Sequence, residues 1–142
     1  MQKLAAILLV DDDPTSNYLN QLLLEELSVA DQLLVAENGA EALHILTHTL
    51  RPDVTPPVGP VLVLLDLNMP VMNGLEFLEA YQQLPPDRRQ AVVIVMLTTS
   101  LHPRDLARLQ ALPIAGLVSK PLSEEKINTI LREHFQRELS TR

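Results

Sequence analysis

The chain has 142 residues, 46% hydrophobic and 20% charged, with a formal net charge of −7 and no cysteine. This is enough chain for one globular domain with a real core, and disulfide, thiolate and cysteine-ligated zinc chemistry are excluded. Three lysines and 3% aromatic residues in an acidic chain leave little for phosphate contacts or base stacking, so no direct nucleic-acid binding is expected.

The start, MQKLAAILLVDDDP, passes from apolar residues straight into three acids. It lacks the small-residue cleavage site of a secretory signal and reads as a mature cytosolic start. Nothing approaches the roughly 18 apolar residues of a membrane span, so no membrane contact is expected. Leu4 to Val10 is apolar throughout, as in a strand buried on both faces. Asp13-Pro14 supplies an N-cap and a favoured first helical residue, and Leu19, Leu22, Leu23 and Leu27 follow at helical spacing. Gln32 to Ala36 reads as a short second strand. Asn38-Gly39 is a turn signal, after which Ala42, Leu43, Ile45 and Leu46 give the apolar side of a second helix.

Thr49 to Pro60 contains four prolines, which forbid a regular helix. It reads as a Pro-rich surface loop within a single domain spanning residues 1–142, since the flanking pieces are too small to fold alone. Val61 to Leu65 is a third strand, ending in Asp66. Asn73 caps a helix containing Leu75, Phe77, Leu78 and Tyr81. Ala91 to Leu97 is a fourth strand running into Thr98-Thr99-Ser100, and Pro103 opens a helix with Leu106, Leu109 and Leu112 on its core side. Gly116 to Ser119 is a fifth strand ending in Lys120-Pro121. Ser123 caps the last helix, whose buried stripe is Ile127, Ile130, Leu131 and Phe135 and whose first turn carries Glu124 and Glu125.

Five strand-helix repeats predict an α/β fold with a parallel sheet covered on both faces. In such a sheet all strand C-termini share one edge, where ligands bind. Four of the five strands end in polar residues: Asp11 and Asp12, Asp66, Thr98 and Lys120. Three carboxylates brought together repel until a proton or a cation relieves them. An oxygen-only ligand set suits a hard divalent ion such as Mg²⁺. With that ion, Lys120 and the Thr98 hydroxyl, the group is suited to moving a phosphoryl group onto Asp66. No glycine-rich phosphate loop is present.

These residues lie in the stretches ILLVDDDP, LLDLNMPVMNG, VMLTTS and LVSKP. In that order, at strand ends, they resemble the receiver domain of two-component response regulators over nearly the whole chain. The resemblance implies a flavodoxin-like, three-layer (βα)5 sandwich with a five-stranded sheet of order 2-1-3-4-5. It implies that Asp66 is the phosphoacceptor, that Asp12 binds Mg²⁺ directly and Asp11 through water, and that the backbone carbonyl of Asn68 is a further metal ligand. Thr98 matches the switch hydroxyl, Lys120 the phosphate-contacting lysine, and Pro121 the proline that often follows a cis peptide. The implied partners are a sensor histidine kinase or phosphotransfer protein and a downstream protein target reached through the surface of helix 4, strand 5 and helix 5. The implied role is a cytoplasmic phosphorylation switch, not an enzyme beyond its own phosphorylation and slow dephosphorylation.

The sequence departs from the family at Leu117, which stands where an aromatic residue is usual, and at Thr99, where a smaller residue is common. Two other readings compete. Haloacid dehalogenase-like phosphohydrolases also use a nucleophilic Asp with Thr, Lys and Mg²⁺, but their second acidic motif comes late and an acid usually stands where Asn68 does. A receiver-like scaffold that no longer responds is supported only by Leu117. Asp13 is most simply an N-cap, Asn73 and Gly74 turn and cap residues, and His44, His48, His102 and His134 solvated side chains.

Overall fold

The apolar runs become strands because the sheet they build is covered on both faces. In a computed structural model, describing residues 2–49, 59–86, 89, 91–99, 103–137 and 139, the chain forms β1 (Leu4–Val10), α1 (Pro14–Leu27), β2 (Ala30–Ala36), α2 (Gly39–His44), β3 (Val61–Asp66), α3 (Gly74–Tyr81), β4 (Val92–Thr98), α4 (Pro103–Leu109), β5 (Gly116–Ser119) and α5 (Glu124–Phe135). The strands pair in parallel in the order β2-β1-β3-β4-β5, which is the flavodoxin-like order implied by the resemblance. Most of the Pro-rich stretch expected at 49–60 lies outside the described residues, as do Ser100, His102 and the last three positions. No helix among the described residues is long and apolar enough to cross a membrane.

Alternate residues of each central strand feed two cores. Val61, Val63 and Leu65 of β3, with Ile94 and Met96 of β4, pack against Ala42, Leu75, Phe77, Leu78 and Leu109. Leu62 and Leu64, with Val95 and Leu97, pack against Leu24, Ile127, Ile130 and Leu131. The helices therefore flank the sheet, α2, α3 and α4 on one side, α1 and α5 on the other. Phe77 is fully buried, a placement that stabilises the fold by about 1.5–3 kcal/mol.

Some elements depart from the sequence reading. β2 begins two residues earlier than Gln32, because Ala30 pairs with Leu4 of β1. β4 is shifted by one, because Ala91 takes a left-handed φ of 62° while Thr98 still pairs with Ser119 of β5. Helix α2 runs on into a π-helical turn, Ile45–Thr49, in which the Thr47 hydroxyl donates to the Leu43 carbonyl at 2.8 Å. The clearest correction concerns α1. Leu19 and Leu22, expected on the core side, are 57% and 46% exposed, whereas Asn17 and Leu24 are buried. The cap fixes this rotation: Asp13 accepts a hydrogen bond from the Thr15 N–H, and a spacing of seven residues, two helical turns, then puts 17 and 24 on the sheet. In α4, Leu109 is buried but Leu106 is 40% exposed.

Candidate functional site

The sheet register carries the polar residues to one rim. Val10 is opposite Leu65, so Asp11 lies abreast of Asp66; Asp66 is opposite Leu97; Thr98 is opposite Ser119. Lys120 follows by one residue, and its N–H donates to the Thr98 carbonyl at 2.9 Å. Residues more than a hundred positions apart in sequence thus meet because Asp66 and Thr98 end paired strands, and Asp11 and Lys120 sit one step past the ends of theirs.

Among the described residues, Asp11, Asp12 and Asp66 form a group that offers one carboxylate oxygen each, all within 4.8 Å of one another. The Lys120 ammonium lies between two of them, 2.8 Å from Asp11 and 3.4 Å from Asp66. Asp11 is buried and fully engaged: Oδ2 accepts from Lys120 and Oδ1 accepts from the Asp13 N–H at 2.9 Å. Asp12 is exposed and Asp66 half-buried. Asn68 is exposed two residues beyond Asp66, and Thr98 half-buried at the rim. A hard divalent cation fits this donor set: every side chain is a carboxylate, the charge exceeds what one lysine neutralises, and Asp12 remains open to solvent.

The electrostatics agree. Burial pushes the Asp66 carboxyl above the ordinary range, the neighbouring Asp11 charge adds to this, and Lys120 opposes it. Burial pulls the Lys120 ammonium down, but its hydrogen bond to Asp11 and the charges of Asp66 and Asp11 outweigh that and leave it raised. An acid whose folded value is raised is happier protonated in the fold, so its ionisation costs nothing below the ordinary carboxylate range and its full amount at neutral pH. Asp66→Asn is therefore expected to be more stable than the parent chain at pH 7 without Mg²⁺, by a few degrees of melting temperature. The gap should close below about pH 3.9 and under saturating Mg²⁺. Thermal melts of both proteins across pH check this; equal stability at pH 7 would contradict the charge crowding.

Local structure around the rim is equally constrained. Asn73 and Glu76 form a reciprocal capping box at the start of α3. Gly74 donates its N–H to the Leu67 carbonyl at 2.9 Å, and a Cβ there would lie 2.7 Å from the Asp66 carbonyl oxygen and 3.0 Å from Leu67 Cα. Those neighbours are backbone and cannot swing away. Alanine gains about 1 kcal/mol over glycine in a helix, but overpacking costs about 1–3 kcal/mol, so the clash prevails. Gly74→Ala is expected to lower the melting temperature and, by pushing α3 off Asp66, to weaken Mg²⁺ binding. An unchanged melt would show that α3 has room to shift.

The β5–α5 turn is pinned from α5. The Lys126 ammonium donates to the carbonyls of Ser119 and Pro121, at 2.7 and 2.9 Å, on either side of Lys120. The Lys120-Pro121 peptide is cis, as the resemblance implied. A cleft of about 300 Å³ lined by Ser16, Leu19, Asn20, Leu23, Lys120, Pro121 and Leu122 opens between α1 and this turn.

Sequence reading named Asp11, Asp12, Asp66, Thr98 and Lys120, and the fold brings them to one edge. It missed Asn17 and Lys126, whose roles are hydrogen bonds to backbone carbonyls and leave no pattern in residue type. Of the histidines, His44 and His48 are exposed and stack with ring centroids 4.4 Å apart, His134 is half-buried, and His102 is outside the described residues.

Comparison with known proteins gives a consistent result. The family profile of the response regulator receiver domain matches residues 7–132. Protein PilH of Pseudomonas aeruginosa is 32% identical over 125 residues, covering 87% of this chain and 92% of that protein. A protein-glutamate methylesterase/protein-glutamine glutaminase of Agrobacterium fabrum is 36% identical over 85% of this chain, but the match spans only 31% of that longer protein. Among solved structures, a two-component response regulator from Cytophaga hutchinsonii superposes with a TM-score of 0.79 at 26% identity, covering 96% of this chain and all of that one.

Proposed function

The chain belongs to the response regulator receiver-domain family, and on that premise we propose that it is a phosphorylation switch in which Asp66 takes a phosphoryl group from a sensor histidine kinase or phosphotransfer protein. The observation that supports this reading most is the meeting of Asp11, Asp12 and Asp66 within 4.8 Å beside the Lys120 ammonium. In the transfer, an Asp66 carboxylate oxygen forms a bond to phosphorus as the phosphorus–nitrogen bond of the donor histidine breaks, and the imidazole leaves with its electron pair. Asp12, Asp66 and the Asn68 carbonyl would hold Mg²⁺ directly and Asp11 through water, and the ion would supply positive charge for the phosphoryl oxygens. Lys120 would supply a second positive charge and Thr98 a hydroxyl donor, each carried at the end of a strand of the sheet.

Receiver domains are signalling modules, and no enzyme activity is assigned to this chain. The family match favours this reading over a haloacid dehalogenase-like hydrolase. A cytoplasmic setting without direct nucleic-acid or membrane contact is part of the same proposal. Two sets of exposed apolar side chains suit protein partners: Leu19, which lines the cleft at Lys120, with Leu22 on α1, and Leu106 and Leu117 on α4 and β5. The first suits a phosphodonor reaching the site. The second suits a downstream target that reads the altered α4-β5-α5 face, with Leu117 in place of an aromatic side chain.

The test is labelling with a small phosphodonor such as acetyl phosphate, with and without Mg²⁺. One equivalent of acid-stable, base-labile label that needs Mg²⁺ is expected. Absence of label, together with an unchanged NMR spectrum on adding Mg²⁺ and beryllofluoride, would instead favour a receiver-like scaffold that does not respond.

A further inference from the structure

Helix α1 places a polar side chain where its register calls for an apolar one. Asn17 is 6% exposed and lies on the same buried face as Leu24. Its Nδ2 donates to the backbone carbonyl of Asp11 at 2.8 Å, while its Oδ1 is buried without a hydrogen-bond partner. A buried unpaired amide oxygen is costly, and an apolar side chain of similar size would avoid that cost. The amide is thus a poor choice for stability alone, and its one bond goes to the residue that opens the β1–α1 loop.

That bond has a consequence for the rim. The Asp11 carbonyl belongs to the peptide that leads into Asp12. The Asp11 carboxylate is already fixed by Lys120 and the Asp13 N–H, and its own N–H is held by the Ala36 carbonyl at 3.0 Å. Asn17 supplies the remaining restraint, on the Asp11–Asp12 peptide plane. Asp12 is exposed, with none of these side-chain ties of its own, so its direction follows from that plane. Mg²⁺ demands near-octahedral ligand placement and tolerates little error, and groups behind a metal's ligands typically alter its affinity by about 10–100-fold.

We infer that Asn17 is a positioning residue for the divalent-cation site: its amide holds the Asp11–Asp12 peptide so that the Asp12 carboxylate faces Asp66. This rests on the reading of the rim as an Mg²⁺ site. Two variants separate a positioning role from a structural one. Asn17→Leu removes the bond and the unpaired oxygen together, and is expected to melt at or above the temperature of the parent chain. Asn17→Ala removes the bond and leaves a void, and is expected to melt several degrees lower.

Both are expected to bind Mg²⁺ at least tenfold more weakly in calorimetric titrations of the unphosphorylated protein, at a temperature where each is folded. Mg²⁺ affinity unchanged in Asn17→Leu, with or without a loss in Asn17→Ala, would overturn the inference, because affinity would then be independent of the amide or would follow stability. If the parent chain itself binds no Mg²⁺, the site reading fails and takes this inference with it. A parent that binds beside an unaffected Asn17→Leu fails the inference alone.

Discussion

Asp66→Asn is expected to abolish labelling by a phosphodonor in the presence of Mg²⁺, with no residual label on another residue. The amide keeps the shape of the side chain but has no anionic oxygen with which to form an acyl phosphate. Asp11 and Asp12 are poor substitutes. Asp11 is buried with both carboxylate oxygens engaged by Lys120 and the Asp13 N–H, and Asp12 is the open side chain that suits the cation. The same substitution is expected to stabilise the fold at neutral pH, since burial and the Asp11 charge both push Asp66 toward its protonated form. A folded, more stable protein that no longer accepts phosphate is the combined signature. Label retained at the parent level by this variant would remove Asp66 from the role.

Lys120→Met is expected to move two properties in opposite directions. The ammonium lies 2.8 Å from Asp11 and 3.4 Å from Asp66, so it competes for the charge that attracts a divalent cation. A unit charge a few ångströms away is worth on the order of 1 kcal/mol even in a watery rim, and its removal should tighten Mg²⁺ binding several-fold. Phosphoryl acceptance should fall, by about 10²–10³-fold, the loss typical of deleting one donor to the transferring group. Mg²⁺ titration and initial labelling rates at saturating Mg²⁺ measure the two effects separately. If both fall together, Lys120 acts chiefly to hold the carboxylates in place, and its role at the phosphoryl group is not supported.

Strands and helices were legible where one residue class dominates a short stretch. Leu4–Val10 and Gly116–Ser119 were read with their observed bounds, and Asp13, Asn73 and Ser123 all cap the helices they were expected to cap. The rotation of α1 was not legible. Its leucines cover more than one face, so 3.6-residue spacing alone admits several orientations. The Asp13 cap and the sheet beneath it select the one that buries Asn17 and Leu24 and exposes Leu19 and Leu22. Of these exposed leucines, Leu19 lines the cleft at Lys120.

By itself the sequence determined which chemistry is possible: oxygen ligands without sulfur, acids at the ends of two strands, a hydroxyl and an ammonium at the ends of two others. It also determined that the sheet is parallel, because buried strands alternating with helices leave few ways to cover both of its faces; the strand order was implied only by the family resemblance. Tertiary structure decided the pairings. Lys120 reaches Asp11 more closely than Asp66, Lys126 ties the carbonyls on either side of Lys120, and Asn17 ties the carbonyl that leads into Asp12. Such choices depend on strand register and side-chain reach at the scale of a single hydrogen bond, whereas hydrophobic periodicity records only which side of an element faces away from water.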